Sequence, residues 1–422
     1  LDYQQPDDLE PFTLGTNGEY NEKEGAYQMT AIDEKVEFVL DGSITSRHYP
    51  VFKLANWTSG NLAAVYAEIE GQGIQQDIDY ILTFLNGDPA TQTLVFQYLG
   101  TVDDTWKFWI DPVFTSAITG NWNDGGTWGN TSPGVAGTDY PDPAGGDSVV
   151  VGGGDVVTVN VTYIVDAITI NNGKVDFDTA ADRTLTVNGN ITVGDAGGSN
   201  DATFECRASA TTTTTIKLGS TSDAEFGIIV ETDGLLDVMG TSLSDQDCVI
   251  TAVTQDGSND GYIHLKDGSD TILKYAEVSY MGANSANKYG IYANAVDGNG
   301  ANEGLVIERS RIHNNYDGVR IDTSTFTIIT DSEIYSNAND GIFITGTSTN
   351  NAVSHNVIYS NTVSGIGVDG DGADSNVLYA NVSHGNTIHG IHLNGADSVS
   401  VYNNTVNNNS DDGIFLATGS DS

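Results

Sequence analysis

The sequence predicts an all-β protein, in which a small N-terminal β-sandwich domain precedes a right-handed parallel β-helix solenoid. Three observations predict this fold. One phrase recurs five times toward the end of the chain, a second phrase keeps step with it, and neither has the 3.6-residue apolar spacing of a helix. The first 115 residues lack both phrases, which indicates a separate domain.

The first phrase places a glycine before a short run of alternating aliphatic residues. Its glycines are 23, 24, 25 and 23 residues apart. A period in the twenties is typical of a solenoid, because one coil cannot bury its apolar face alone and must stack on its neighbours. The copies are DGVRID (317–322), DGIFIT (340–345), SGIGVD (364–369), HGIHLN (389–394) and DGIFLA (412–417).

The second phrase carries an aliphatic residue and an asparagine. Since an amide donates to one neighbour and accepts from the other, stacked asparagines form a hydrogen-bonded ladder. The copies are SRIHNN (310–315), SEIYSN (332–337), NVIYSN (356–361) and NTVNNN (404–409). They predict an aliphatic column at 312, 334, 358, 382 and 406 and an asparagine column at 315, 337, 361 and 409.

The pattern within one period predicts the type of solenoid. Runs such as Ile342–Ile344 place two aliphatic residues on either side of an outward residue, as a strand does, and the leucine framework of leucine-rich repeats is absent. Three short strands separated by Asn/Gly turns, each stacked on its equivalent one coil later, give a right-handed parallel β-helix. These repeats resemble the pectate-lyase-like superfamily, whose generic repeats join N-x-[IV]-x-x-N to G-[IV]-x-[IL]. The resemblance implies a fold and leaves the activity open.

Composition divides the chain into three parts. Residues 1–115 hold short strands at 10–15-residue spacing and are expected to form a β-sandwich for attachment or assembly. Within 36–110, the phrases FVLDGSITSRHYPVFKLANW, VYAEIEG and DYILTF resemble the N-terminal domain of phage tail fibres and tailspikes. Residues 116–150 form an entry segment rich in Gly, Pro and Trp, which is expected to cap the solenoid of residues 151–422.

Charge and cysteine content limit the possible partners. The chain has 15 Lys+Arg against 58 Asp+Glu, a net charge of -43, which disfavours nucleic acid, anionic membranes and, unless calcium bridges the two, acidic polysaccharides. No apolar run is long enough to span a bilayer, and an extracellular location is expected. Cys206 and Cys248 are predicted either to form a disulfide between stacked coils or to be buried free thiols.

Two outward columns are candidates for glycan binding. Two residues after each glycine, one column carries Arg320, Phe343, Gly367, His392 and Phe415. Aromatic rings repeated along a groove can bind sugars, although one exposed column can also be cross-strand packing. A second ring column is predicted to read His313, Tyr335, Tyr359, Ser383 and Asn407, with Tyr335 and Tyr359 as candidate glycan contacts.

Two further sets of residues are candidates for chemistry. Asp317 and Asp340 precede successive glycines, so their carboxylates are expected about 5 Å apart, near the separation in a retaining glycosidase. Asp-Gly is also a common turn dipeptide, which offers a structural alternative.

Asp369, Asp371 and Asp374 concentrate oxygen ligands of the kind that calcium prefers, and the alternative is a water-facing acidic loop.

Two functions are compatible with these features. The first is an extracellular or virion-surface structural or adhesive protein, such as an adhesin, filament, sheath or tail-fibre component, presenting a face to glycans or to copies of itself. The second is a polysaccharide hydrolase, or a calcium-assisted lyase or epimerase. The regular coils offer only Arg309, Arg311 and Arg320 as bases and lack a D-P-H-D phrase, which favours the first function.

Two expectations concern the rest of the solenoid. The last coil ends without a recognisable cap, which predicts either a further C-terminal region or self-association through unpaired strand edges. The longer spacing before residue 305 predicts loops near 281–303 that form part of a binding face.

Overall fold

The chain forms two compact units, Leu1–Thr115 and Ser116–Ser422. Apart from one short 3₁₀ helix, Gly125–Trp128, the described secondary structure is β, and no described helix has the length and apolar character needed to cross a membrane. The computed structural model describes residues 9–11, 16–21, 26–30, 36–41, 47–55, 65–69, 72–74, 80–85, 93–102, 105–130, 132–137, 139–143, 147–195, 201–219, 226–242, 246–255, 261–298 and 304–417.

The N-terminal unit contains two five-stranded groups whose apolar side chains meet. Phe52 and Phe96 of one group are buried, and the Phe52 ring lies 5.5 Å from that of Phe108 in the other, as in a sandwich core. In sheet order, the groups are Leu9–Pro11, Val36–Asp41, Thr105–Thr115, Val65–Ile69 and Gln72–Ile74, then Thr16–Asn21, Ala26–Thr30, Val51–Ala55, Thr93–Tyr98 and Tyr80–Leu85. Arg47–His48 and Thr101–Val102 form a separate antiparallel pair.

The second unit is a solenoid of three parallel sheets, here named sheets A, B and C, and it confirms the predicted fold class. Sheet A comprises Ser148–Val151, Ile168–Ile170, Ile191–Val193, Gly227–Val230, Tyr262–Leu265, Ile291–Asn294, Val319–Asp322, Ile342–Thr345, Ile366–Asp369, Ile391–Asn394 and Ile414–Leu416. Sheet B comprises Gly120–Asn121, Asp155–Val159, Gly173–Phe177, Ala202–Arg207, Gly234–Met239, Asp270–Lys274, Leu305–Glu308, Ile328–Thr330, Ala352–Ser354, Val377–Tyr379 and Ser400–Tyr402. Sheet C comprises Tyr163–Val165, Arg183–Val187, Thr214–Leu218, Cys248–Ala252, Ala276–Ser279, Arg311–His313, Glu333–Tyr335, Val357–Tyr359, Val382–His384 and Thr405–Asn407.

One residue per coil makes the corner between sheets B and C. It adopts the left-handed conformation, which costs a non-glycine residue roughly 1–2 kcal/mol. The residue after it is polar and, except in the last coil, buried, and it accepts the backbone N–H of its counterpart one coil earlier, as Asn356 Oδ1 does from Ser332 N at 2.9 Å. The corner residues of the regular coils are Arg309, Asp331, His355, Ala380 and Asn403.

Asparagine ladders join the coils in the interior, as the second phrase predicts. Asn337 donates through Nδ2 to Asn361 Oδ1 at 2.9 Å, and Asn361 donates to Asn386 Oδ1 at 3.0 Å. Further ladders, not anticipated from the repeats, run through Asn351 and Asn376 and through the corner positions after sheet B. The amides therefore satisfy the buried backbone where the chain changes direction.

The predicted aliphatic and ring columns of sheet C are wrong in the coil that contains residues 382–384. Ile358 pairs with Ser383, not with Val382, so Ser383 points inward and His384 takes the outward place predicted for Ser383. A buried serine is tolerated in this aliphatic column because its hydroxyl donates to the carbonyl of Gly390 at 2.8 Å. The expectation failed because it assigned the inward position to the aliphatic residue of the NVSHGN copy.

Aromatic rings fill the first described end of the solenoid. Trp122 and Trp128 are 0% and 2% exposed, and the Trp122 ring lies 5.6 Å from that of Tyr163 at the start of sheet C. Of the two alternatives for the cysteines, the structure has Cys206 and Cys248 as buried free thiols.

Candidate functional site

The outward positions of sheet A carry a row of mostly aromatic and basic side chains, which are buried at His264 and Tyr292 and partly exposed from Phe343 onward, except at Gly367. The strand register aligns two residues that the sequence columns missed, His264 and Tyr292, with the five that they named. They were missed because the glycine phrases before residue 305 are spaced at 28–29 residues. The sheet A row is His264, Tyr292, Arg320, Phe343, Gly367, His392 and Phe415.

Arg320 is held in the middle of the sheet A row by two rings and one carboxylate. Its guanidinium carbon lies 4.2 Å from the ring centroid of Tyr289 and 4.8 Å from that of Phe343. Its Nη1 atom is 3.4 Å from Asp317 Oδ2. Tyr289 comes from the predicted loop region, whose residues 299–303 lie outside the described part of the chain. Arg320 is thus a fixed, charge-balanced part of the surface.

Asp317 is enclosed beneath this row. Its side chain is fully buried, and its Oδ1 accepts from Asn339 Nδ2 at 2.6 Å and from the backbone N–H of Asp340 at 3.3 Å. Burial raises the pKa of Asp317, while the hydrogen bond from Asn339 and the charge of Arg320 act in the opposite direction. Its carboxylate therefore joins two coils and positions Arg320, and it has no surface from which to meet a large substrate.

Asp340 occupies the equivalent turn one coil later. Its Oδ1 accepts the backbone N–H of Ser364 at 2.8 Å, and the side chain is 5% exposed. Burial raises its pKa to about 7, and the neighbouring charge of Asp317 acts in the same direction. Asp340 can therefore hold or release a proton near neutral pH, which is the property expected of a general acid or base.

The sheet A row has one position without a side chain, Gly367, which lies between Phe343 and His392 and is buried. A Cβ there would lie 2.9 Å from Phe343 Cδ2, so the Phe343 ring covers this position and would have to shift to admit a larger side chain. The same Cβ position is 3.7 Å from Asp340 Oδ1. Phe343 and His392 are both half-buried, so each ring keeps part of its surface accessible.

The predicted sites on sheet C have a different geometry. The rings of His313, Tyr335, Tyr359 and His384 stack at 4.7, 4.9 and 5.3 Å with interplanar angles of 10°, 6° and 2°. Neighbouring rings therefore cover both faces of Tyr335 and Tyr359, and a sugar can reach only ring edges. The sheet A row and this stack lie on different faces of the solenoid, so they do not form one groove.

The residues predicted to bind calcium are not gathered into a ligand set. Asp369 accepts from Asn394 Nδ2 at 2.8 Å, Asp374 accepts the backbone N–H of Asp397 at 2.8 Å, and Asp371 is exposed. Within the described ranges, one group of three possible metal ligands has its ligand atoms within 4.8 Å of one another, and it does not include any of these aspartates. Calcium at Asp369, Asp371 and Asp374 stays a prediction.

Comparisons with known proteins agree with the fold. A family model described as a right-handed β-helix region matches residues 261–422. A mutant of the periplasmic alginate epimerase AlgG is similar at 15% identity over 73% of this chain and 85% of that chain, with a TM-score of 0.35. The A-module of Azotobacter vinelandii mannuronan C-5 epimerase AlgE4 is similar at 11% identity over 64% and 87%, with a TM-score of 0.33. No curated protein sequence matches. The three parallel sheets and the family model together define the chain as a right-handed parallel β-helix protein, and the likenesses to solved structures carry no conclusion about its activity.

Proposed function

We propose that this protein is an extracellular or surface-exposed β-helix that binds a polysaccharide along sheet A. The observation that carries this proposal is the set of partly exposed rings at Phe343, His392 and Phe415, which the strand register aligns on one face of sheet A. Sugars present apolar C–H faces that pack on aromatic rings, while their hydroxyl groups need polar partners at the ring edge. The Oδ1 atom of Asp340 lies 3.7 Å from the position that a Cβ of Gly367 would take, next to this part of the row.

Charge favours a neutral polysaccharide. Within the sheet A row, Arg320 alone carries a lysine or arginine side chain, and its charge is balanced by Asp317. The whole chain carries a net charge of -43, so a polyanion approaching it would be repelled unless cations bridged the two. We therefore expect neutral glycans to bind more tightly than uronate polymers in the absence of calcium.

Replacing Phe343 by alanine is expected to weaken glycan binding at least roughly tenfold, because a buried aromatic contact contributes more than about 1.4 kcal/mol. Affinity would be measured by calorimetry on a panel of neutral and acidic oligosaccharides, with and without calcium. Phe326→Ala is the matched control, since Phe326 is 40% exposed in a turn outside the row. Equal affinities for the two variants, or no binding to any glycan by the wild-type protein, would refute the proposal.

A second function, polysaccharide cleavage or epimerisation, is supported by Asp340. A carboxyl group with a pKa of about 7 beside the sheet A row can give a proton to a leaving oxygen or take one from a sugar carbon. In this case, Asp340→Asn is expected to lower the rate of product formation by roughly 10²-fold or more, while glycan affinity is retained. The measurement is the release of reducing or unsaturated ends, or a change in uronate configuration. If the wild-type protein binds glycans and leaves them unchanged, the function is binding alone.

Self-association of the protein remains a prediction. The side chains of the last described strand are partly exposed, with Ile414, Phe415 and Leu416 at 49%, 37% and 52%. A binding or sheath role for an assembled form would use the same sheet A row on each copy.

A further inference from the structure

Two consecutive coils bring a histidine and two aspartates together at the turn before sheet A. His389 precedes the strand Ile391–Asn394, and Asp411 and Asp412 precede the strand Ile414–Leu416, which stacks on it. One ligand atom from each residue lies within 4.8 Å of the other two. The parallel stacking thus aligns side chains that are more than 20 residues apart in sequence.

His389 is the buried member of this cluster. Its side chain is 8% exposed, and Nδ1 is buried without a hydrogen-bond partner among the described residues. The ring is fixed by stacking on Phe415, with centroids 4.7 Å apart and an interplanar angle of 12°. A buried, unpartnered ring nitrogen costs free energy unless a proton donor or a cation satisfies it.

The two carboxylates lack a basic partner. After Arg320 the sequence contains no lysine or arginine, and Asp411 and Asp412 make no ion pair within the described residues. At Asp317 and Asp340, the earlier members of this turn column, a carboxylate oxygen accepts the backbone N–H of the next coil. At His389 an imidazole takes the place of that carboxylate. This end of the column therefore offers possible metal ligands in place of carboxylates that bond to the backbone of the next coil.

We propose that His389, Asp411 and Asp412 bind a divalent transition-metal ion of the zinc class. Zinc takes imidazole nitrogen and carboxylate oxygen at about 2.0–2.2 Å and accepts three protein ligands with water in the remaining position. Imidazole favours such ions over calcium, which prefers oxygen alone. Asp411 and Asp412 are exposed and can rotate toward an ion held by the fixed histidine. This site is separate from the calcium site predicted at Asp369, Asp371 and Asp374.

The test is zinc binding to the full chain in the presence of millimolar calcium, which saturates weak sites on this acidic surface. We expect the wild-type protein to bind one equivalent of zinc, measured by calorimetry and by metal analysis after gel filtration. His389→Gln is expected to lower the affinity at least roughly tenfold. His355→Gln is the matched control, because His355 is an exposed corner residue outside the cluster.

A second variant protects the test against misfolding. Asp411→Asn together with Asp412→Asn changes two exposed side chains, leaves the buried ring of His389 in place, and is expected to give the same loss of zinc affinity. Asp267→Asn is its control, since Asp267 is an exposed acid of the same solenoid and belongs to no predicted metal site. Absence of zinc binding by the wild-type protein, or equal zinc affinity in the double variant and its control, would overturn the proposal.

Discussion

Asn361→Ala is expected to lower the free energy of unfolding of the solenoid by about 3 kcal/mol or more. The Asn361 side chain is fully buried and bonds to both neighbouring coils. Its Oδ1 accepts from Asn337 N at 3.1 Å and from Asn337 Nδ2 at 2.9 Å, and its Nδ2 donates to Asn386 Oδ1 at 3.0 Å. Each buried polar group left without a partner costs roughly 1–3 kcal/mol.

Equilibrium unfolding in urea, followed by circular dichroism, measures this effect. Asn407→Ala is the matched control, because Asn407 is exposed on a strand of sheet C, and its effect is expected to stay within about 0.5 kcal/mol. Asn361→Leu separates hydrogen bonding from volume, since it refills the space and still leaves the neighbouring amides unpaired. A loss for Asn361→Ala that is no larger than the loss for Asn407→Ala would contradict the ladder.

Asp340→Asn is expected to stabilise the protein at pH 8 by up to roughly 4 kcal/mol. The pKa of Asp340 differs by about three units between the folded and the unfolded protein, and each unit corresponds to 1.36 kcal/mol. Burial raises the pKa of Asp340 in the folded protein to about 7 from an ordinary value of 3.8. Between about pH 4 and pH 7 the folded state binds more protons than the unfolded state, so the free energy of unfolding falls as pH rises. Below that window the group is protonated in both states and the cost vanishes.

The measurement is the free energy of unfolding of both proteins at several pH values from about 4 to 8. Asparagine keeps the Oδ1 acceptor for the N–H of Ser364, so the two proteins are expected to converge at the acid end. Asp371→Asn, an exposed acid, is the control and should follow the wild-type profile. A constant difference between Asp340→Asn and the wild-type protein across this range would show that Asp340 does not titrate near neutrality.

The sheet A row shows how far the sequence could define the candidate site. The glycine period predicts that Arg320, Phe343 and His392 share a column, and the strand register agrees. It does not predict that Tyr289, from an irregular loop, covers Arg320, because that contact depends on the path of a segment outside the repeat. Nor does a column distinguish rings with a free side from rings that cover one another, as in the stack of sheet C.

The sequence by itself determined the coil, its period and the columns of side chains, because stacked parallel strands repeat the same pattern in every turn. Tertiary structure decided which polar members of those columns are enclosed and which are exposed. Asp317 and Asp412 occupy the same column. Asp317 is buried beneath an arginine and joins two coils, whereas Asp412 is exposed and lies near a buried histidine. That difference arises because desolvation and charge depend on all the neighbours of a residue, including those from other coils and loops, and a repeat period encodes only position.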